Sequence, residues 1–262
     1  MARIASSYYL LACLLILLIV VLFWNFLSPR KAIVIVEPRK HKNLEYVLKN
    51  FDEGMDSTWD LYVFHGKSAA EFAQAASREI TKRRVYLLPL HTDNLTADEY
   101  NVLFKDASFW DRVNAETILV FQTDVVLCSK SLHTINQFTK YDYIGCSVDD
   151  KNIGFGGWRW SSSHPDDYFY GSGGMSLRKK SFMMKCIADH LNIPKNYPED
   201  VFYSNCVSKS PNKPKSAVVI NNFCTQNKYV NNSLGAHRIS MLSPEDKKRF
   251  LAYCPEADTI KS

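Results

Sequence analysis

The order in which apolar patterns alternate along this chain constrains its fold more than any other feature. Ala32-Ile33-Val34-Ile35-Val36 is a short continuous apolar run of the kind that fills a buried parallel strand. Leu44, Val47, Leu48 and Phe51 then recur at helical spacing. Residues 59–64 read as a second strand, and Ala69, Phe72, Ala73, Ala76 and Ile80 as a second helical stripe. A third strand over 84–89 is followed by Thr96-Ala97-Asp98-Glu99, a capping box that opens a helix. Residues 117–122 form a fourth apolar run, Leu132, Ile135 and Phe138 predict another helix, and residues 141–146 another strand. Beyond a long Gly-, Ser- and aromatic-rich loop come helices over 178–191 and 199–208, then a strand over 217–221. This alternation predicts an α/β fold: a mostly parallel central sheet with helices on both faces, binding ligands at the carboxyl ends of its strands. No linker or internal repeat divides residues 30–262, so they are expected to form one domain.

Tyr8 to Leu27 is an uncharged run of about twenty apolar residues, long enough at ~1.5 Å per residue to match a hydrocarbon core of ~30 Å. It is longer than the ~7–15-residue core of a cleaved signal peptide, and no small-residue cleavage site follows it. Trp24 and Phe26 fall at an interfacial aromatic belt, and Pro29 stops the helix. Residues 1–29 are therefore expected to be a transmembrane signal-anchor. Its orientation is contested: Arg3 stands against Arg30, Lys31, Arg39, Lys40 and Lys42, which favours a cytosolic domain. The sequons Asn94-Leu95-Thr96 and Asn231-Asn232-Ser233 are compatible with a lumenal one.

The 32 basic and 27 acidic residues are spread along the chain, with no nucleic-acid footprint. Cys13 lies in the anchor run, and the other six cysteines show no C-x-x-C spacing. Several sit in apolar periodic segments, where buried free thiols are expected. Gly66-Lys67-Ser68 lacks the upstream glycine of a phosphate-binding loop. H-E-x-x-H, G-x-S-x-G and a G-x-G-x-x-G after the first strand are missing, which demotes zincins, α/β-hydrolases and dinucleotide enzymes.

What remains is an ordered set. Gln122-Thr123-Asp124 ends the fourth strand, Tyr141-Asp142-Tyr143-Ile144-Gly145 follows, and Tyr170-Gly171-Ser172-Gly173-Gly174-Met175-Ser176-Leu177-Arg178 leads toward a helix. Tyr197-Pro198-Glu199-Asp200 opens another helix, and Gly235-Ala236-His237-Arg238 lies near the end. In that order, from about Ile33 to about His237, the motifs resemble an uncharacterised family of glycosyltransferase-like domains related to the GT-A (nucleotide-diphospho-sugar transferase) superfamily. The resemblance implies transfer of a sugar from a nucleotide-sugar donor to a hydroxyl on a glycan, lipid or protein acceptor, in the secretory pathway (ER or Golgi) with a lumenal domain.

That superfamily ends a strand in Asp-x-Asp, whose carboxylates hold a divalent ion on the donor diphosphate. Here Gln122 replaces the first acid, and the resemblance leaves Asp124 and His237 as the implied ligands of Mn²⁺ or Mg²⁺. Gln122, Asp124, Gly173, Gly174 and Arg178 are the implied donor contacts, the glycines by close backbone approach and Arg178 by its planar fork. Asp200, with Glu199 beside it, matches the acidic pair that supplies the catalytic base. Trp158 and Trp160 would stack on acceptor sugar faces.

Each residue also has a plainer use. A strand-end Asp caps turns, acids in a first helical turn oppose the dipole, and loop tryptophans bury area. Two other functions stay open. Gln122 suits a catalytically inactive, membrane-tethered sugar- or partner-binding domain. A hydrolytic or phosphate-transfer enzyme on a similar sheet would turn over nucleotide-sugars without an acceptor.

Overall fold

The computed structural model describes residues 30–148 and 169–260, with the backbone of two short strands between them. The expected anchor, residues 1–29, lies outside the described residues, as does Trp160, and Trp158 is described only as strand backbone. Among the described residues no helix is long and apolar enough to cross a membrane.

The chain opens with β1 (Lys31–Val36), α1 (Leu44–Gly54), β2 (Trp59–His65), α2 (Ala70–Ala76) and β3 (Val85–Pro89). Then come α3 (Ala97–Phe104), α4 (Ala107–Asp111), β4 (Thr117–Phe121), β5 (Val125–Leu127), β6 (Tyr143–Cys146), β7 (Gly154–Phe155) and β8 (Trp158–Arg159). The last part holds β9 (Ser172–Lys179), α5 (Lys180–Asp189), α6 (Glu199–Val207), α7 (Ala217–Phe223), β10 (Cys224–Thr225), β11 (Gly235–His237) and α8 (Pro244–Tyr253).

The main sheet runs β3-β2-β1-β4-β9-β6. All of β2 and β4 is buried, and β1 is buried from its second residue. Successive strand residues point to opposite faces, so the centre of the sheet is covered on both sides. The stripe read in the sequence covers part of it: Leu44, Val47, Leu48 and Phe51 of α1 are buried, and Phe51 stacks on Phe121 of β4 with ring centroids 3.9 Å apart. Arg83 closes this corner. Its Nε lies 2.6 Å from Asp52 Oδ1, and its guanidinium donates to the carbonyls of Asp52, Met55, Asp56 and Trp59. One buried cation thus satisfies several orphan carbonyls after α1. The Thr96–Glu99 box caps α3 in both directions, at 3.2 Å and 2.8 Å.

The main sheet is mostly parallel, as expected: β3, β2, β1 and β4 are parallel, and β9 is the reversed strand, antiparallel to both β4 and β6. Other expectations need correction. The segment Ser172–Lys179 is a buried strand, not a glycine turn entering a helix, and the helix starts only at Lys180. Its glycines mark close approach of other groups. Ala217–Phe223 is a helix, not a strand: Val218 is 62% exposed while Ile220 and Phe223, three apart, are buried. A short apolar run cannot by itself distinguish the two. Leu132, Ile135 and Phe138 yield only a one-turn 3₁₀ helix at Ile135–Gln137, with Leu132 left in solvent.

The six cysteines beyond residue 30 are not free thiols. They form disulfides Cys128–Cys254, Cys146–Cys224 and Cys186–Cys206. The first ties the segment after α8 to the end of β5, the second joins β6 to β10, and the third joins α5 to α6. Cys146–Cys224 closes a separation of 78 residues. Replacing both partners by serine is expected to lower stability by ~2–5 kcal/mol, read as a lower midpoint in denaturant.

Candidate active site at the carboxyl ends of β1 and β4

From β1 the chain moves outward through β2 and β3, then returns to lay β4 on the other side of β1. The strand order reverses there, and the loops after β1 and β4 diverge to leave a crevice. A cleft of about 830 Å³ occupies this place. Its walls come from the loop after β1, the start of α3, the turn after β4, the start of β9, the start of α6 and the end of β11.

Asp124 stands in the turn between β4 and β5, which is closed by Val125 N–H donating to Gln122 O at 3.2 Å. Asn43 pins the turn from the other side, its Nδ2 donating to Thr123 O at 3.1 Å. β11 then pairs antiparallel with β5, placing His237 opposite Val125. That register delivers the His237 ring to Asp124 although the two lie far apart in the chain. His237 Nε2 is 3.4 Å from Asp124 Oδ1, and Arg238 Nε is 3.4 Å from Oδ2. Burial pushes the Asp124 carboxyl up, but the adjoining His237 ring and the Arg238 guanidinium outweigh it and hold the group below its usual range.

The tautomer of His237 follows from its other nitrogen. Nδ1 lies 3.0 Å from Gln226 Oε1, an acceptor, so Nδ1 carries the proton in a neutral ring. Ser172 Oγ donates to the same Gln226 oxygen. Nε2 is then left buried, with no hydrogen-bond partner, and its lone pair faces a carboxylate oxygen. Two acceptors facing each other are held comfortably by a cation between them, and an imidazole fixed by an outer amide is the usual arrangement of a ligating histidine. The donor set, one nitrogen, one carboxylate and the nearby Gln122 amide, fits a hard divalent ion that takes its other ligands from substrate or water. Gly174 is required for this packing, because a Cβ there would overlap the His237 ring. A second cluster, Cys186, His190 and Cys206, does not qualify, since both thiols are joined in a disulfide.

The two acids of α6 have different environments. Glu199 is buried, and its carboxylate meets Arg178 twice: Nη1 to Oε2 at 2.7 Å and Nη2 to Oε1 at 3.0 Å. Gly173 makes room for that carboxylate, since a Cβ would overlap Glu199 Oε1. Asp200 is partly buried at the cleft wall and accepts from Gly173 N–H at 3.3 Å and Val201 N–H at 2.8 Å. Burial, then the charge of Glu199, push its carboxyl up to about 7. The two adjacent carboxyls thus have different surroundings, Glu199 locked to a buried guanidinium and Asp200 held by backbone N–H groups at the cleft.

Of the residues singled out in the sequence, Gln122, Asp124, Gly173, Gly174, Glu199, Asp200 and His237 all line the cleft. Arg178 does not. It is fully buried on β9, among the rings of Phe104, Tyr143 and Tyr203 at 5.2–5.4 Å, so the expected phosphate contact is corrected to a structural ion pair. Four participants were not anticipated: Ser172, Gln226, Arg238 and His41. His41 follows β1, the position a strand-end rule would have flagged. Its Nδ1 accepts from Asn43 N–H at 3.2 Å, and burial lowers its pKa despite Glu37, leaving a neutral Nε2–H that faces Thr123 Oγ1 at 3.5 Å at the cleft wall.

Fold and site together define an α/β protein with a polar, cation-compatible cleft at its topological switch point. The chain belongs to the family described as protein of unknown function (DUF5672), whose sequence model matches residues 84–237. That segment runs from the start of β3 to His237 and so contains Asp124, both glycines, Glu199, Asp200 and Gln226. The chain matches none of the curated proteins.

Proposed function

We propose that this protein is a metal-assisted glycosyltransferase that moves a sugar from a nucleotide-diphosphate donor to a hydroxyl acceptor, on a fold of the GT-A kind. The observation that carries the proposal is the unpaired, buried Nε2 of His237 facing Asp124 at the switch point, with Asp200 in the same cleft. Asp124 and His237 would hold Mn²⁺ or Mg²⁺, with Gln122 beside them. Bound there, the ion would neutralise charge developing on the leaving diphosphate. His41 Nε2, 3.5 Å from Thr123 Oγ1 at the cleft wall, would turn its N–H to an anionic oxygen, and the β9 glycines seat the Glu199 carboxylate and the His237 ring beside the cleft. Asp200 takes the acceptor proton, its elevated pKa matching a base that works near neutrality. Glu199 stays locked to Arg178 and acts on Asp200 through its charge. The three disulfides favour an oxidising compartment, which supports a lumenal domain over the cytosolic one suggested by flanking charge. In that setting an N-terminal anchor would keep the cleft near membrane-borne or secreted acceptors.

The test is release of nucleoside diphosphate from a panel of sugar nucleotides by the 262-residue chain, with Mn²⁺, Mg²⁺ or EDTA. Metal-dependent release from one donor, rising with acceptor, establishes the reading. Release to water alone would favour the hydrolytic alternative. Silence from folded protein that binds glycan would favour the inactive domain that Gln122 suggests.

Activity is expected to rise with pH through about 7 as Asp200 ionises, and to level off above it. Asp200→Asn should remove that rising limb along with most of kcat. The sign for stability is opposite. The folded state binds the Asp200 proton more tightly than a free aspartate with pKa 3.8, so this stabilisation is complete below pH 3.8 and lost as pH rises through about 7. Asp200→Asn should therefore be less active yet no less stable above pH 7; loss of both would reject the assignment.

A further inference from the structure

We infer that Arg238 is an internal counter-ion of Asp124 that a divalent cation must displace, and that the displaced guanidinium then pairs with the substrate's phosphate, so that cation and diphosphate bind cooperatively. The inference rests on the cleft being a nucleoside-diphosphate and cation site, and adds to it a device for ordered loading.

Three observations carry it. First, the two oxygens of the Asp124 carboxylate face different groups: Oδ1 the unprotonated His237 Nε2 and Oδ2 the Arg238 guanidinium through Nε, each at 3.4 Å. Gln122 is neutral, so Asp124 is the charged member of the Gln122-Thr123-Asp124 turn, and Arg238 cancels that charge when no cation is present. Second, the Arg238 backbone is held in place while its side chain stands half exposed. Its N–H donates to Asp124 O at 3.1 Å, continuing the β5–β11 ladder, and its φ of 51° and ψ of 53° put a non-glycine residue in the left-handed region. Such conformations recur where function imposes them. Third, the pair is weak enough to exchange. The Arg238 side chain is 52% exposed and that of Asp124 36%, which leaves the ion pair solvated. By contrast Arg178 is wholly buried and paired with Glu199. Arg238 also lines the cleft, so a guanidinium leaving Asp124 swings within reach of a bound anion. Its planar fork suits phosphate oxygens.

The chemistry predicts a binding pattern. A cation arriving alone competes with Arg238 for Asp124 and binds weakly. A diphosphate arriving alone meets Arg238 already paired. Together each relieves the other, and thermodynamic reciprocity makes the enhancement equal in both directions.

The experiment uses the 262-residue chain, Mn²⁺ titrated by electron paramagnetic resonance, and UDP, GDP, CDP and ADP titrated by calorimetry, each with and without the other ligand. The wild type is expected to bind Mn²⁺ on the order of tenfold more tightly when the preferred diphosphate is present, within the usual range of coupling. Arg238→Gln is expected to bind Mn²⁺ alone several-fold more tightly than wild type, to bind the diphosphate more weakly, and to lose most of the coupling. Arg238→Lys, which keeps the charge but not the fork, should retain part of it. Gln and Lys occupy a left-handed position no worse than Arg, and unchanged thermal unfolding would verify the fold. If Arg238→Gln weakens the diphosphate but leaves Mn²⁺ alone unchanged, Arg238 is a simple phosphate ligand and the counter-ion role is wrong. If neither affinity moves, Arg238 has no part in the site. If the wild type binds neither Mn²⁺ nor any diphosphate, the reading of the cleft itself falls and the inference with it.

Discussion

Asp124→Ala is expected to reduce metal-dependent release of nucleoside diphosphate by at least ~10²–10³-fold, the scale seen when one group that stabilises developing charge is removed. The variant should also lose the Mn²⁺ signal. The size of the effect follows from Gln122. Where two carboxylates share a cation, losing one leaves the other; here Gln122 stands in place of a second acid, and Asp124 is the carboxylate that faces His237 Nε2 among the described residues. Asp124→Asn separates charge from shape. It preserves an oxygen facing Arg238 and the turn after β4, and should still lose nearly all cation affinity. Gln122→Asp is the gain-of-charge counterpart: it should tighten Mn²⁺ binding and partly restore it in the Asp124→Asn background. Wild-type activity that persists in EDTA, or an Asp124→Ala protein with ordinary turnover, would remove the metal from the reading and leave His237 with a structural role.

The parts of this protein legible in its sequence are those written in local periodicity. β1, α1 and β2 announce themselves because Ile33, Val34 and Ile35 form a continuous buried run, and because Leu44, Val47, Leu48 and Phe51 share one helix face. The place of Asp124 was legible for a related reason: a carboxylate that ends an apolar strand emerges at the carboxyl end of the sheet, where the cleft lies. What stayed hidden depends on pairings between distant segments. No spacing rule joins Cys128 to Cys254, 126 residues later, or gives His237 the Gln226 amide that sets its tautomer. β9 was misread because Gly173 and Gly174 look like a turn; only the fold reveals that one glycine clears Glu199 and the other clears His237. Arg178 was misread for the same reason. An arginine after glycines suggests a phosphate contact, and its burial is visible only once Glu199 is in place.

That buried pair gives the largest expected effect on stability. Arg178 and Glu199 have side chains 0% and 5% exposed, so neither charge can turn to water if the other is removed. Burial alone would lower the Arg178 pKa, but the Glu199 charge outweighs it and keeps the guanidinium protonated. Arg178→Met is therefore expected to destabilise by ~3–5 kcal/mol, because it strands a carboxylate under α6. For a domain of this size that corresponds to a fall of roughly 6–20 °C in Tm. Glu199→Leu should strand the guanidinium at similar cost, whereas the double variant, apolar on both sides, should recover much of the loss. Asp200 gives a readout that a purely structural role would not move. The Glu199 charge raises its pKa and Arg178 lowers it. Glu199→Gln should consequently shift the rising limb of the pH profile below 7, and Arg178→Met should shift it above 7 in protein that remains folded. Shifts in the same direction would mean that Asp200 senses general loosening of α6, and the electrostatic link from the buried pair to the base would be wrong.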